Sequence, residues 1–419
     1  MTDTHSTNER ALIPTGHDAA SYTCVRSLAR RGIGSIIASE KDGVPAASSR
    51  YCDESVSVPD PREGLLAYRD ELLELAARPD VRTVIPVRPE DSYLLSRYRE
   101  AFAEHVSLVV PTMEQLLAAT DRLQLAAAAD AAGVPVPETR LLADVGDWSE
   151  DLLIKSRYNF LTDDSLEHLT PDDMDVVKEI HHVVHEDPPD PEAVRRSMGH
   201  DPIVQEFIHT DDEFMFTGLY DHGEPLATFQ HRQIRGNSYT GGGGVYRRSI
   251  YEPELERVGR ALLAELDWHG LACIEYMRDA ATGEYVLTEI NPRMWQSLPS
   301  TVRAGADYPY YYWLAATGRA DEIDCTYELG VGTHMLHGEL GYLLSVLTEE
   351  SPYVERPSVP GTVWEIGRSI VREPRFDYLA LDDPGPFLAG LRTVLPGSVA
   401  DRLPVHRLAD VVSRRPRRS

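Results

Sequence analysis

Glu275, Glu289 and Asn291 stand among apolar residues on either side of a turn-rich stretch, 279–283, that ends in glycine. The flanking runs read as two strands of a β-hairpin. Alternation groups Glu275 with Cys273 and Met277 on one face and sets Glu289 and Asn291 together on one face of the second strand. A hairpin centred on Thr282 puts the two glutamates directly opposite each other, with Cβ atoms roughly 5 Å apart. Such a pair repels unless one acid holds a proton, both face water, or a cation bridges them. Two glutamates and an asparagine offer hard oxygen ligands, which suit Mg²⁺, with Mn²⁺ as the alternative ion, far better than zinc or copper. Mg²⁺ also leaves coordination positions for water and nucleotide phosphates. The pattern is either a phosphoryl-transfer platform or two acids on a solvated face.

Basic residues at three further places bear on this choice. Lys155 closes the apolar run Leu152-Leu153-Ile154 in a chain with only three lysines, Lys41, Lys155 and Lys178. It reads either as a phosphate contact or as a strand-end lysine reaching for water. His231, Arg232 and Arg235 lead into the glycine run 241–244, which could bind anions through guanidinium forks and free N–H groups, or be a bare flexible loop. Asp121-Arg122 opens an alanine-rich helix. Gly16 follows the first strand, but without a GxGxxG pattern it is read as turn geometry and not as a dinucleotide site.

Glu275 in Gly270-Leu-Ala-Cys-Ile-Glu-Tyr, followed by Glu289-Ile-Asn-Pro-Arg293, resembles the metal-binding signature of the ATP-grasp superfamily. The resemblance runs from about 8 to 320 and is closest to the uncharacterised carboligase branch, loosely similar to the large subunit of carbamoyl phosphate synthase. Trp295-Gln-Ser-Leu-Pro-Ser and Gly305-Ala-Asp-Tyr-Pro strengthen it. It implies Mg²⁺ on Glu275, Glu289 and Asn291, with Arg293 facing the transferred phosphoryl group or the substrate carboxylate. It implies ATP phosphates on Lys155, with Arg122 where many members have lysine. It also implies adenine against the hinge Val204-Gln-Glu206-Phe207-Ile208, and ribose on Glu213. One departure stands out: where many members carry a glycine-rich phosphate lid after the lysine, this chain reads Ser156-Arg-Tyr-Asn-Phe-Leu-Thr-Asp-Asp.

Positioning these residues requires several lobes, and 419 residues supply them. The expected fold class is α/β, α+β in the ATP-binding lobes. Strands at 11–14, 33–39 and 81–87 alternate with helices at 21–31 and 65–77, as in a parallel sheet wrapped by helices. A helix at 116–132 stops at Gly133 and is sealed by Pro135 and Pro137. Strands at 152–156 and 203–209 suggest a small mobile subdomain. Strands at 214–220, 226–234, 271–277 and 285–290, with a helix at 253–266, suggest a larger mixed lobe. The expected units are 8–112, a parallel pre-ATP-grasp domain; 113–210, linker helix and small subdomain; 211–330, the large lobe; and 331–419, an extension of unknown role. The leader 1–10 reads as a disordered lead-in and the basic end 414–419 as a solvated tail.

Composition narrows the function classes. A formal charge of −27 repels nucleic acid and anionic membranes, and no run approaches the length of a membrane-spanning helix. Four scattered cysteines form no metal motif and read as reduced core residues in a cytoplasmic protein. Acid excess with few lysines suggests a host with high internal salt, although a high-GC genome would also deplete lysine. The expected partners are small-molecule carboxylate and amine substrates, with a homodimer as the default assembly and no nucleic acid or membrane. The activity implied by the resemblance is an ATP-dependent carboxylate-amine ligase acting through an acyl phosphate, with Arg293, Arg232 and Lys155 stabilising developing charge. Bicarbonate-using carboxylation and a non-catalytic ATP-binding regulator are the alternatives.

Overall fold

In the N-terminal sheet, β1 (Arg10–Ile13), β2 (Gly34–Ser39), β3 (Glu54–Ser57) and β4 (Val81–Val84) run parallel in the order β3-β2-β1-β4. β1 and β2 carry apolar runs, Ala11–Ile13 and Ile36–Ala38, that are buried on both faces. Ala11, Ile13 and Ile37 share a core with Val25 and Leu28 of α1 (Ala19–Arg30), whereas Leu12 and Ile36 pack with Tyr68 and Leu72 of α2 (Leu65–Ala76). The edge strand β3 was not expected, because its sequence, Glu-Ser-Val-Ser, is half exposed and carries no apolar run. α3 (Pro89–Arg97) and α4 (Arg99–Ala103) follow β4.

This computed structural model describes residues 9–146, 148, 150–176, 180–183, 189–210, 212–351 and 354–394. The tail 414–419 and all but the last two residues of the leader lie outside the described residues.

The helix expected at 116–132 is two helices, α5 (Met113–Thr120) and α6 (Arg122–Ala131). Asp121 breaks it: its backbone is extended, and its carboxylate caps the second helix by accepting from the Leu123 N–H at 3.0 Å. A local cap outweighs the helix preference of the alanines around it. Ala119, Leu125 and Ala129 share a core with Phe214, Leu262 and Trp268, so these helices belong to the large lobe and not to the small one.

The small subdomain contains β5 (Thr139–Leu141), β6 (Leu152–Lys155), β7 (Phe160–Leu161), β8 (Asp175–Val176), β9 (Ile180–Val183), α7 (Pro191–Met198) and β10 (Ile203–Glu206). β5, β10, β6 and β9 form an antiparallel sheet in that order, and β7 pairs with β8. Leu152, Ile154, Val183 and Val204 pack on Val194 and Met198 of α7. Leu153, Lys155, His182 and Gln205 share the opposite face of the sheet.

The large lobe is built on β11 (Glu213–Asp221), β12 (Glu224–Ser238), β13 (Gly241–Ile250), α8 (Pro253–Glu265), β14 (Gly270–Arg278), β15 (Tyr285–Asn291), α9 (Leu298–Arg303), α10 (Tyr308–Ala316) and β16 (Gly332–His334). Its six-stranded antiparallel sheet has the order β15-β14-β11-β12-β13-β16. Since β16 is its edge strand, the lobe runs past the boundary expected at 330.

Beyond it, α11 (Leu336–Thr348), α12 (Val359–Arg372) and α13 (Gly385–Val394) are not a detached extension. Asp377 pairs with Arg247 of β13 at 2.7 Å, both side chains fully buried. Asp382 accepts two 2.7 Å hydrogen bonds from Arg26, and Asp383 accepts one of 2.6 Å from Ser49. The C-terminal segment therefore ties the large lobe to the N-terminal domain. Cys24 and Cys273 are core residues as expected, but Cys52 is half-buried and Cys325 exposed; all four are free thiols. Among the described residues no helix is long and apolar enough to cross a membrane.

Candidate active site

β14 and β15 pair Glu275 directly opposite Glu289 and Cys273 opposite Asn291. A bulge produces this pairing. Near the turn Tyr276 faces Leu287, so Thr288 has no partner and the register moves on by one residue. Leu287 is in the core beside Tyr276, and without the extra residue alternation would turn Glu289 into that core.

Asn291 secures the pair, its Nδ2 donating to Glu289 Oε1 at 2.7 Å and to Glu275 Oε1 at 3.4 Å. Its own Oδ1 accepts from Arg293 Nη2 at 2.9 Å. Burial, and then the charges of Glu289 and Glu213, hold the Glu275 carboxyl well above the usual carboxylate range. Glu213, on the same sheet face, is raised by burial and accepts from the Gln233 amide. A close-set oxygen-only group whose charges repel fits a hard divalent cation.

Lys155 and Arg122 come to the same place from other elements. Arg122 Nη2 lies 3.9 Å from Glu289 Oε2, and its Nη1 donates to the Ser156 carbonyl at 2.7 Å. Burial pushes the Lys155 ammonium down to about 8, helped by Arg122 and opposed by Glu289. Among the described residues Lys155 makes no ion pair. Lys155, Arg122, Glu289, Asn291 and Arg293 line one cleft of about 1070 Å³ between the three lobes.

The N-terminal domain grips the signature strand's exit. Ser92 of α3, fully buried, donates to the Pro292 carbonyl at 2.8 Å, and the Met294 N–H donates to the Pro86 carbonyl at 2.9 Å. Arg293 sits between these anchors. Ser92 carried no local signal, because its partner lies two hundred positions away.

Arg232 is not brought to the site. It faces Phe214, which packs in the α8-side core, so it projects from the sheet's other face, where it is exposed and pairs with Asp212. His231 is buried, pushed down to about 3 by burial and Arg247, and so is no cationic anion ligand. Arg235 is committed to Glu339 at 2.6 and 2.8 Å.

The glycine run is not a free loop either. Residues 241–244 begin β13, and the hairpin tip is pinned by a 2.9 Å bond from the Tyr239 N–H to Ser345 Oγ of α11. Gly242 does reach the cleft. Glu206, Phe207 and Ile208 lie where the chain crosses from β10 to β11, the Phe207 ring against His182 and His209. They are outside the residues lining the cleft.

The segment in the lid's place is also anchored. Arg157 pairs with Asp121 at 2.6 Å, Phe160 packs on Tyr93, and Tyr93 and Arg97 bond to Asp163 and Asp164. It is held on the N-terminal domain and, through Asp121, on the large lobe.

No protein-family model matches the chain, and no curated protein matches its sequence. Solved structures do match. N5-carboxyaminoimidazole synthetase from Staphylococcus aureus superposes with a TM-score of 0.58 at 12% identity, over 86% of this chain and 96% of that one. The L-amino acid ligase from Bacillus licheniformis superposes at 0.55 with 14% identity, over 78% and 79%. Pyruvate carboxylase from Rhizobium etli gives 0.55 at 16% identity over 76% of this chain, which spans 28% of that larger protein.

Proposed function

The chain has the ATP-grasp fold, and on that premise we propose that it is an ATP-dependent ligase that activates a carboxylate as an acyl phosphate and couples it to an amine. The carrying observation is one cleft with Glu289 and Asn291 on one wall, backed by Glu275, and Lys155, Arg122 and Arg293 converging on it. Mg²⁺ would be held by Glu275, Glu289 and Asn291 and would neutralise charge on the ATP phosphate oxygens.

Lys155, at the end of β6 in the small subdomain, and Arg122, at the start of α6, hold the phosphates. Arg293 presents its guanidinium where a substrate carboxylate oxygen meets the γ-phosphate, steadied by Asn291 and by the two anchors on the N-terminal domain. The carboxylate attacks phosphorus, ADP leaves, and the amine then displaces phosphate from the acyl carbon. Walls from three lobes limit water, which would otherwise hydrolyse the intermediate. Adenine against 206–208 and ribose on Glu213, as the resemblance implies, would extend the nucleotide beyond the residues that line the cleft.

Bicarbonate as the acid is the second reading; it is favoured by the carboxylases among the structural likenesses. The test is ADP release from Mg-ATP over pools of small carboxylates, bicarbonate and amines, with Glu289→Gln alongside. Release that needs both an acid and an amine and is lost in the variant supports the ligase. Release with bicarbonate alone favours the second reading. Mg-ATP binding without turnover from any pool would move the assignment to a regulator.

A further inference from the structure

The sheet order β3-β2-β1-β4 reverses direction at β1: the chain steps to one side for β2 and β3, then returns to β4 on the other side. In open parallel sheets the crevice outside the strands' carboxyl ends at such a reversal is where ligands settle. Its walls here are the connections after β1 and β4. Each carries one carboxylate into the catalytic cleft, Asp18 ahead of α1 and Glu90 in the first turn of α3.

Neither acid is used up by the fold. Asp18 occupies the cap position of α1, yet its side chain makes no capping hydrogen bond, and among the described residues it has no ion pair. Glu90 is 2% exposed, and its Oε2 has no hydrogen-bond partner among the described residues. The Arg62 guanidinium, itself 74% exposed, lies 3.7 Å from the other oxygen. Arg88, also in the cleft, is already bonded to Glu40, the Pro14 carbonyl and Tyr68. A buried carboxylate oxygen without a partner is costly, and a ligand that donates to it relieves that cost.

Glu90 lines the same cleft as Arg293. It lies two residues before Ser92, whose hydroxyl holds Pro292 next to Arg293. The cleft therefore holds both cations suited to phosphates, Lys155 and Arg122, and two carboxylates, Glu90 and Asp18. We propose that Glu90 and Asp18 form the acceptor subsite and bind a primary amine in its ammonium form, which passes one proton to a carboxylate of the subsite before its nitrogen displaces phosphate from the acyl carbon. The assignment rests on the ligase reading and adds where the second substrate sits and what charge it carries on entry.

The test uses the full-length protein with Mg-ATP and a pool of carboxylates. One arm supplies hydroxylamine, uncharged at the assay pH, which traps an acyl phosphate as a hydroxamate. The other supplies the twenty amino acids and simple alkylamines. Within each variant, the ratio of the KM for the amine to the KM for hydroxylamine isolates ammonium recognition from folding and from ATP chemistry. Glu90→Gln is expected to raise that ratio roughly ten- to hundredfold, the usual effect of losing a hydrogen bond to a charged group, and Asp18→Asn to raise it in the same direction.

Hydroxamate formation with an unchanged ratio in both variants overturns the subsite and leaves the ligase standing. So does hydroxamate formation with no amine accepted. Absence of hydroxamate from every acid in the wild type takes down the ligase reading and the subsite together.

Discussion

Lys155 allows a quantitative prediction. It ends a buried strand, and burial with the nearby Arg122 lowers its ammonium to about 8 from the ordinary lysine value near 10.5. Phosphate oxygens restore the charged form, because an opposite charge favours it. The protonated lysine binds phosphate, so affinity is full below the free-state value and falls as pH rises through it. If binding returns the ammonium to its ordinary range, Kd for Mg-ATP rises roughly tenfold from about pH 7 to about pH 9, which is about 1.4 kcal/mol. Over the same interval proton uptake on binding approaches about one per chain. Titration calorimetry in two buffers of different ionisation enthalpy measures both quantities. Lys155→Arg keeps a charge throughout and should flatten the curve. A flat wild-type Kd with no proton uptake near pH 9 would refute the placement of Lys155 on the phosphates.

Three more predictions follow from particular contacts. Asp377→Ala strands the fully buried Arg247 guanidinium and should destabilise the chain by about 3–5 kcal/mol in urea unfolding, whereas Arg247→Met with Asp377→Leu should recover most of that loss; a single-variant cost below about 1 kcal/mol contradicts the pairing. Ser92→Ala removes the bond that positions Pro292, at about 1–3 kcal/mol; turnover should drop more than Mg-ATP affinity does, and equal losses in both would argue that Ser92 only supports folding. Glu289→Gln should weaken Mg²⁺-dependent nucleotide binding at least tenfold while leaving metal-free ADP binding nearly unchanged; identical losses with and without the metal contradict the assignment of the pair as its ligands.

The hairpin of Glu275 and Glu289 could be read from sequence because apolar alternation and a glycine-ended turn define it. The pairing came out right although the strand is not regular: the bulge at Thr288 supplies the residue that the assumed centre at Thr282 had included. Arg232 went the other way. Its face follows from its register with Phe214, and spacing toward the glycine run carries no record of that register. The break at Asp121 was hidden by helix-forming neighbours on both sides. The C-terminal closure left little trace, since α12 buries only Thr362 and the contacts of Asp377, Asp382 and Asp383 reach far back along the chain. α10, Tyr-Pro-Tyr-Tyr-Tyr-Trp-Leu-Ala-Ala, is apolar on nearly every side and so shows no helical period.

The central claim is that a carboxylate oxygen attacks the γ-phosphate of ATP in this cleft. Isotope transfer from the acid tests it most directly. With a carboxylate, or bicarbonate, labelled with oxygen-18 and an amine acceptor present, one labelled oxygen should appear in each phosphate released. Unlabelled phosphate accompanying ADP would contradict the claim, because hydrolysis by solvent would then be the only phosphoryl transfer taking place.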